Sequence, residues 1–377
     1  MKIIRATTVP QSLVSFCTGL LKELSSKYEV IALSSPGKDL DLIAQSDNIR
    51  TIAVNMERRI NVIKDVISLF KLIRVFWLEK PIMVHSMTPK AGLLCMMAAW
   101  IAGVPKRVHT FTGLVFPTSR GIKKRILMVT DKITCKCATH IIPEGEGVKN
   151  DLINNKITAK PLNVLGFGNV RGVDMSFYSK RTSVMDIANK LKPYNFFVFV
   201  YVGRIVKDKG INELCNAFEK LSNSYTGVKL WLVGPYENNI DPISQESNRI
   251  IRENVNIETV GAKSGDELVA YYAAADCFVF PSYREGFPNT VLEAGAMDLP
   301  CIVTDINGSR EIISNGYNGL IVPPYNSEKL YLAMEYMLTK TTERLKMSLN
   351  ARIVVQERYT ISYVRKCLFD YYEQILG

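Results

Sequence analysis

A chain of 377 residues exceeds what one hydrophobic core ordinarily organises, so two domains are expected. With 47% hydrophobic and 22% charged residues the composition excludes a disordered or fibrous protein, and the uncharged run 91–105 falls short of the roughly 18 residues a membrane span needs. The net charge of +11 sits in one half: residues 1–180 hold 26 Lys and Arg against 13 Asp and Glu, the remainder 21 against 23, so the first half faces something anionic (a lipid surface, a phosphorylated acceptor or nucleic acid) unless the surplus only solvates the surface.

Short β-branched runs alternate with helical patterns from end to end, which is the signature of parallel α/β sheets. In the first half, residues 2–6, 29–34, 51–54, 82–85, 107–110, 140–142 and 163–165 read as strands. In the second, 196–202, 229–233, 256–260, 277–281, 301–304 and 320–322 do so. The glycine cluster in "GFGNVRGVDMSFY", 166–178, marks the join. The expected division is 1–174, 175–355 and a terminal helix, 356–377, whose aromatic face suits packing back on the first domain. Eight cysteines lie scattered in apolar runs, and Cys135 and Cys137, the one close pair, read as buried thiols rather than a zinc site. That usage, with no signal-peptide pattern, fits a reducing cytoplasm.

Ligands of open parallel sheets bind outside the carboxyl ends of the strands, so the residues just after each strand carry the chemistry. After 196–202 comes "GRIVKDKG", in which Gly203 lets a ligand approach the backbone, and Arg204 and Lys209 combine a forked donor with a point charge suited to phosphate. After 277–281 comes "YREGFPNTVLEAGAMDLP", where Asn289 is placed to cap a helix whose free N–H groups suit an anion. The carboxylates Glu285 and Glu293 in the same stretch suit neutral hydroxyls. A nucleotide sugar offers both a diphosphate and hydroxyls. The blander reading leaves Glu285 in solvent and Glu293 on a helix-face contact. His109 and His85 each end a strand; His109, one of only three histidines, suits a functional role with a structural one as the alternative, whereas His85 suits a structural or acceptor-orienting role over chemistry. The Asp39-Leu40-Asp41 element lies in a loop-like segment far from the other motifs, so no metal-binding carboxylates accompany the diphosphate site. Glu144 and Glu146 in "IIPEGEGVKN" read as acceptor contacts or as solvated loop charges, the second being the preferred reading.

Together "GRIVKDKG", "ADCFVFPS", "EGFPNTVLEA", "GSREII" and "NGLIVPP" resemble the donor-binding domain of retaining glycosyltransferases of family 4. The stretches "TPKAGLLCMMAAWIAGVPKRVHTFTGLVF" and "GNVRGVD" resemble the acceptor domain and linker of its capsular and exopolysaccharide members. The resemblance implies two Rossmann-like doubly wound domains facing across a cleft (the GT-B fold), with an acceptor domain first and a donor domain second. It implies hexosyl or N-acetylhexosaminyl transfer, with retention, from a UDP-linked sugar to a polyprenyl-diphosphate-linked saccharide, and no metal or other cofactor. Residue by residue it implies that Arg204 and Lys209 hold the diphosphate, Glu285 the sugar and Glu293 the ribose. Gly203 and the main chain of Phe287, Asn289 and Thr290 line the phosphate, His109 and Glu285 are the catalytic pair, and His85 and Arg107 stand on the acceptor side. The chain departs from the pattern at "ATTVPQSLVSF", which has no glycine until Gly19 where relatives carry a Gly-rich loop.

With a basic first half, these expectations place the enzyme on the anionic inner face of the cytoplasmic membrane. Two other readings stand beside it. A nucleotide-sugar epimerase or a phosphorylase keeps the fold and changes the reaction. A non-enzymatic anion binder explains the charge, yet it leaves the residues of the second half without purpose, and no nucleic-acid motif is present.

Overall fold

The computed structural model describes residues 1–57, 61–237 and 241–377, which divide into two compact units. Unit 1 comprises Met1–Arg171 together with Val364–Gly377, and unit 2 comprises Gly172–Tyr363.

Unit 1 alternates strands and helices: β1 (Lys2–Ala6), α1 (Pro10–Cys17), α2 (Leu20–Ser25), β2 (Glu29–Ser34), α3 (Lys38–Ser46), β3 (Arg50–Ala53), α4 (Val62–Glu79), β4 (Met83–Met87), α5 (Pro89–Ile101), β5 (Lys106–Phe111), α6 (Gly121–Cys137), β6 (His140–Pro143) and α7 (Glu146–Asn154). All pairings are parallel and the order is β3-β2-β1-β4-β5-β6. That order reverses between β1 and β4, where a doubly wound sheet opens a crevice at the strand ends. Both faces of the sheet are covered, as parallel sheets require. On one face α4, α5 and α6 pack side by side over Ile4, Ile31, Val84 and Ile141. Residues Leu368, Tyr371, Tyr372 and Ile375 join α1 to α3 over the other. Helix α5 is apolar all round and buried along most of its length, because α4 and α6 enclose it. The Lys160 ammonium donates to the carbonyls of Cys135, Lys136 and Ala138, ending α6 with a cation on its dipole.

Unit 2 runs α8 (Thr182–Leu191), β7 (Phe197–Val202), α9 (Ile211–Ser224), β8 (Val228–Val233), α10 (Gln245–Glu253), β9 (Ile257–Gly261), α11 (Gly265–Ala274), β10 (Cys277–Phe280), α12 (Asn289–Ala296), β11 (Cys301–Thr304), α13 (Ser309–Ile312), β12 (Gly319–Val322), α14 (Ser327–Thr339) and α15 (Thr341–Arg358). Helix α16 (Ile361–Leu376) begins at its end and continues into unit 1. The sheet is again wholly parallel, in the order β12-β11-β10-β7-β8-β9, and reverses between β7 and β10. Its central strands β7 and β10 read as unbroken apolar runs because helices bury both faces, whereas the edge strand β9 exposes Glu258 and Thr259.

Three expectations about the secondary-structure elements are corrected. Residues 163–165 form no strand: only Leu162 makes an isolated bridge, to Ile141. Asp39 and Asp41 lie in the first turn of α3, where carboxylates favour the positive end of the helix dipole, rather than in a loop. Helix α12 starts at Asn289 itself, with Pro288 in the cap position and no side-chain cap, because proline suits the helix entrance.

Candidate functional site

The loops after β7, β8, β10 and β11 meet at the switch point of unit 2. From the loop after β7, Ile205 donates its N–H to the Pro235 carbonyl at 2.8 Å, which docks this loop on the one after β8. On the other side, Tyr283 N–H donates to the Asp208 carbonyl at 2.9 Å and joins it to the loop after β10. Two glycines permit the closest approaches. Gly210, at φ 71°, lies so near the Pro281 carbonyl that a Cβ would collide with it, and Gly308, at φ 73°, is pressed in the same way on Gly286 and Phe287. Only glycine meets both the left-handed backbone and the missing space.

This rim carries the charged side chains. The Arg204 guanidinium donates to Glu237 at 2.7 Å, and Lys209 forms an ion pair with Glu285 while lying 5.5 Å from the centre of the Phe280 ring. Glu285 also accepts from the Ser282 hydroxyl at 2.7 Å. The Lys209 and Glu285 side chains are mostly buried, at 15% and 16% exposure, so their attraction is little screened by water. One helix turn beyond the rim Glu293 is buried and accepts from the Tyr272 hydroxyl at 3.1 Å. Burial, reinforced by the charge of Glu293, pushes the Tyr272 phenol well above its ordinary value, so it stays a donor. Phe287 is buried against Tyr359, fixing the main chain that leads through Asn289 and Thr290 into α12. Gly203 ends β7 with its carbonyl against Gly234. Ser309, at the start of α13, has a buried hydroxyl with no hydrogen-bond partner among the described residues. All the residues singled out in the second half thus lie on one edge of one sheet or in the helix that starts from it. Sequence reasoning passed over Tyr272, Glu237 and Ser309. For Glu237 a signal existed: "GPYE" follows its strand with the same strand-end glycine as "GRIV".

In unit 1 the switch point holds Thr8 and Thr88, whose hydroxyls lie 2.8 Å apart; the Thr8 hydroxyl also accepts from the Ala91 N–H. Thr88 sits at φ 73°, ψ 145°, a conformation that costs a β-branched residue about 1–3 kcal/mol and that marks functional edges. Neither threonine was among the sequence candidates. His109 is buried, its ring 2.9 Å from the Ser86 hydroxyl, edge-on to Phe111 and abutting Gly92. Burial pushes its imidazole down to about 3, so it is neutral at physiological pH and a poor proton acceptor. His85 is buried with Arg5, Tyr372 and Thr110 around it; burial, then the Arg5 charge, holds it well below its ordinary value. Arg107 lies near the amino end of β5, away from the strand-end edge, and its guanidinium donates to the carbonyls of Cys137 and Val104. Glu144 corrects the expectation of a solvated charge: it is buried, its carbonyl accepting from Asn169 N–H, whereas Glu146 is exposed and pairs with Lys149. Cys135 and Cys137 are buried, and no cluster of three or more metal-ligating side chains occurs among the described residues.

Two family models match the chain: "Glycosyl transferases group 1" over residues 185–354 and "Glycosyl transferase 4-like" over 11–144. Along its whole length the chain is 33% identical to the capsular polysaccharide biosynthesis glycosyltransferase CapM of Staphylococcus aureus, of which it covers 97%. It is 29% identical over 73% of its length to UDP-Gal:alpha-D-GlcNAc-diphosphoundecaprenol alpha-1,3-galactosyltransferase of Escherichia coli, covering 71% of that protein. In fold it matches Anabaena Alr3699/HepE, solved in complex with UDP, with a TM-score of 0.81 at 16% identity over 99% of this chain and all of that one.

Proposed function

Because this chain belongs to the group 1, family 4-like glycosyltransferases with the GT-B fold, we propose that it moves a hexosyl or N-acetylhexosaminyl group from a UDP-linked donor to a polyprenyl-diphosphate-linked saccharide. The work is done in surface-polysaccharide synthesis at the inner face of the cytoplasmic membrane. One observation carries the reading. The switch point of unit 2 gathers two cations and a carboxylate on one rim, with a second carboxylate one helix turn behind. Arg204 and Lys209 take the diphosphate as it gathers charge on leaving, with the N-terminus of α12 adding the positive end of its dipole. These groups do what a divalent ion does elsewhere, so transfer needs no metal. Glu293, held by Tyr272, accepts the ribose hydroxyls, and Glu285 accepts those of the sugar. Glu237 and Glu285 pair with the two cations, so the diphosphate competes with them for Arg204 and Lys209.

Transfer is proposed to proceed with retention. The acceptor hydroxyl then approaches the anomeric carbon from the face the diphosphate leaves, and the departing phosphate oxygen lies within reach of its proton. His109, neutral and enclosed, shapes the acceptor side without carrying a proton. The support for a lipid-linked acceptor is the full-length likeness to a capsular enzyme and the long likeness to one named for a diphosphoundecaprenol substrate. The test is a panel of nucleotide sugars with and without extracted lipid-linked acceptor, in chelator. UDP release that requires both a UDP-sugar and the lipid fraction is expected, with the anomeric configuration of the product read by NMR. A rearranged nucleotide sugar formed without acceptor would replace this reading with an epimerase, and an inverted product would remove retention.

A further inference from the structure

Helix α6 is amphipathic in an unusual sense, since an apolar stripe faces water. Ile122, Ile126, Val129 and Ile133 recur at spacings of four, three and four residues and are all exposed, Ile122 to 78%. Its inner face meanwhile packs Thr134, Cys135 and Cys137 into the unit. Helix α4 repeats the pattern with Ile63, Ile67, Phe70 and Trp77 outward, the two aromatics at 67% and 66% exposure, while Leu72 and Phe76 face the core. Both helices flank α5 in the same layer over one face of the sheet, so the two stripes leave the protein on the same side. Trp100 and Ile101, at the end of α5, lie exposed in that layer.

Left in water, these side chains forgo the stabilisation that burial inside the unit would give. Folded proteins in water seldom leave so many on one side without a partner. The surrounding charge identifies the partner. Helices α4 and α6 carry eight Lys and Arg against three acids. Of those acids, Asp65 is taken by Lys90, Glu79 by Lys2 and Arg50, and burial raises Asp131 to about 7, near neutrality. Lysines 64, 71, 123, 132 and 136 border the stripes. A second protein surface would have to be both apolar and acidic, whereas an anionic bilayer offers acyl chains beneath a layer of negative headgroups and meets both demands.

We propose that the α4–α6 face of unit 1 inserts its apolar stripes into the outer few ångströms of an anionic membrane, with the bordering lysines on the headgroups. In purpose the inference rests on the lipid-linked acceptor proposed above, but it goes further, because it requires insertion as well as charge attraction. Salt then removes only part of the binding.

The experiment uses the full chain and vesicles of phosphatidylcholine with and without phosphatidylglycerol. Lipids brominated in the acyl chain should quench Trp77 and Trp100, while Trp231, buried in unit 2, supplies the unchanged background. Trp77→Phe should lose much of the quenching. The double variants Ile126→Ser/Val129→Ser and Ile67→Ser/Phe70→Ser alter exposed positions, so they should melt like the parent and lower vesicle partitioning by about tenfold each. Binding to anionic vesicles without quenching would overturn insertion. Dimers that the serine variants dissolve, with no vesicle binding, would overturn it in favour of a second copy of the chain. UDP binding and turnover on a water-soluble acceptor analogue should be unchanged in these variants. If transfer is absent from the parent but quenching is present, the proposed reaction fails and the membrane face stands.

Discussion

At the scale of single residues, Glu285 and Glu293 differ in what they touch, and their losses should differ in kind. Glu293 is buried behind the rim on Tyr272, so Glu293→Ala should weaken binding of UDP alone by roughly ten- to a hundredfold, the worth of hydrogen bonds to a charged group. Glu285→Ala releases Lys209, so it should leave UDP affinity undiminished or a few-fold tighter while lowering turnover of the intact donor; calorimetry beside kinetics separates the two. Equal loss of UDP affinity in both would cancel the assignment. Glu237 acts in the opposite sense. Its pair with Arg204 is 43% exposed on the arginine side and therefore weak, so Glu237→Gln should tighten UDP only a few-fold, by freeing the guanidinium. His109 bears on stability through protons. Its folded value near 3 lies below the unfolded value of about 6.5, so the unfolded chain binds a proton that the native chain refuses. Stability from this group is complete above about 6.5 and falls by up to about 1.4 kcal/mol per pH unit as the medium is acidified toward 3. Urea unfolding at pH 7.5 and 5 should show a smaller acid loss in His109→Gln than in the parent.

Among elements, the contact between Gly308 and the loop after β10 couples α13 to α12. Gly308→Ala sets a Cβ against the Gly286 carbonyl in a left-handed backbone, which should cost about 1–3 kcal/mol and slow turnover by moving Phe287 and Asn289. A melt and a rate identical to the parent's would show that the loops move independently. The elements themselves were largely legible, because a strand buried on both faces must be an apolar run: 2–6, 29–34 and 301–304 coincide with β1, β2 and β11. Residues 163–165 carry the same apolar signal without a sheet edge to continue, and neighbours in space, not the local pattern, decide that. Likewise the strand-end glycines disclosed the loops of Arg204 and Lys209. Tyr272 became visible only when the fold brought α11 against α12, and the strain at Thr88 leaves no trace in composition. The burial of His109 depends on Gly92, a distant glycine that makes room for its ring.

For the molecule as a whole, the decisive feature is that unit 1 is discontinuous. Residues 364–377 bring Leu368, Tyr371, Tyr372 and Ile375 over its sheet, and the Tyr372 hydroxyl accepts from Arg5 at 2.7 Å. Four such side chains stabilise on the order of 6–12 kcal/mol, an upper estimate that still rivals the whole stability of a domain. A chain ended after Tyr363 should therefore lose the cooperative unfolding of unit 1 while keeping the UDP binding proposed for unit 2; intact melting of both would show the cover to be dispensable. The same discontinuity sets an order of events during synthesis. As the ribosome delivers the chain, the first 171 residues emerge early and yet lack part of one wall of their core until residues 364–377 follow. The intervening unit has its whole sheet before then and is free to fold first. The part made first is thus the part finished last, and through that interval its nascent strands, with the bare α4 and α6 stripes beside them, are the surface a chaperone or the membrane itself would meet.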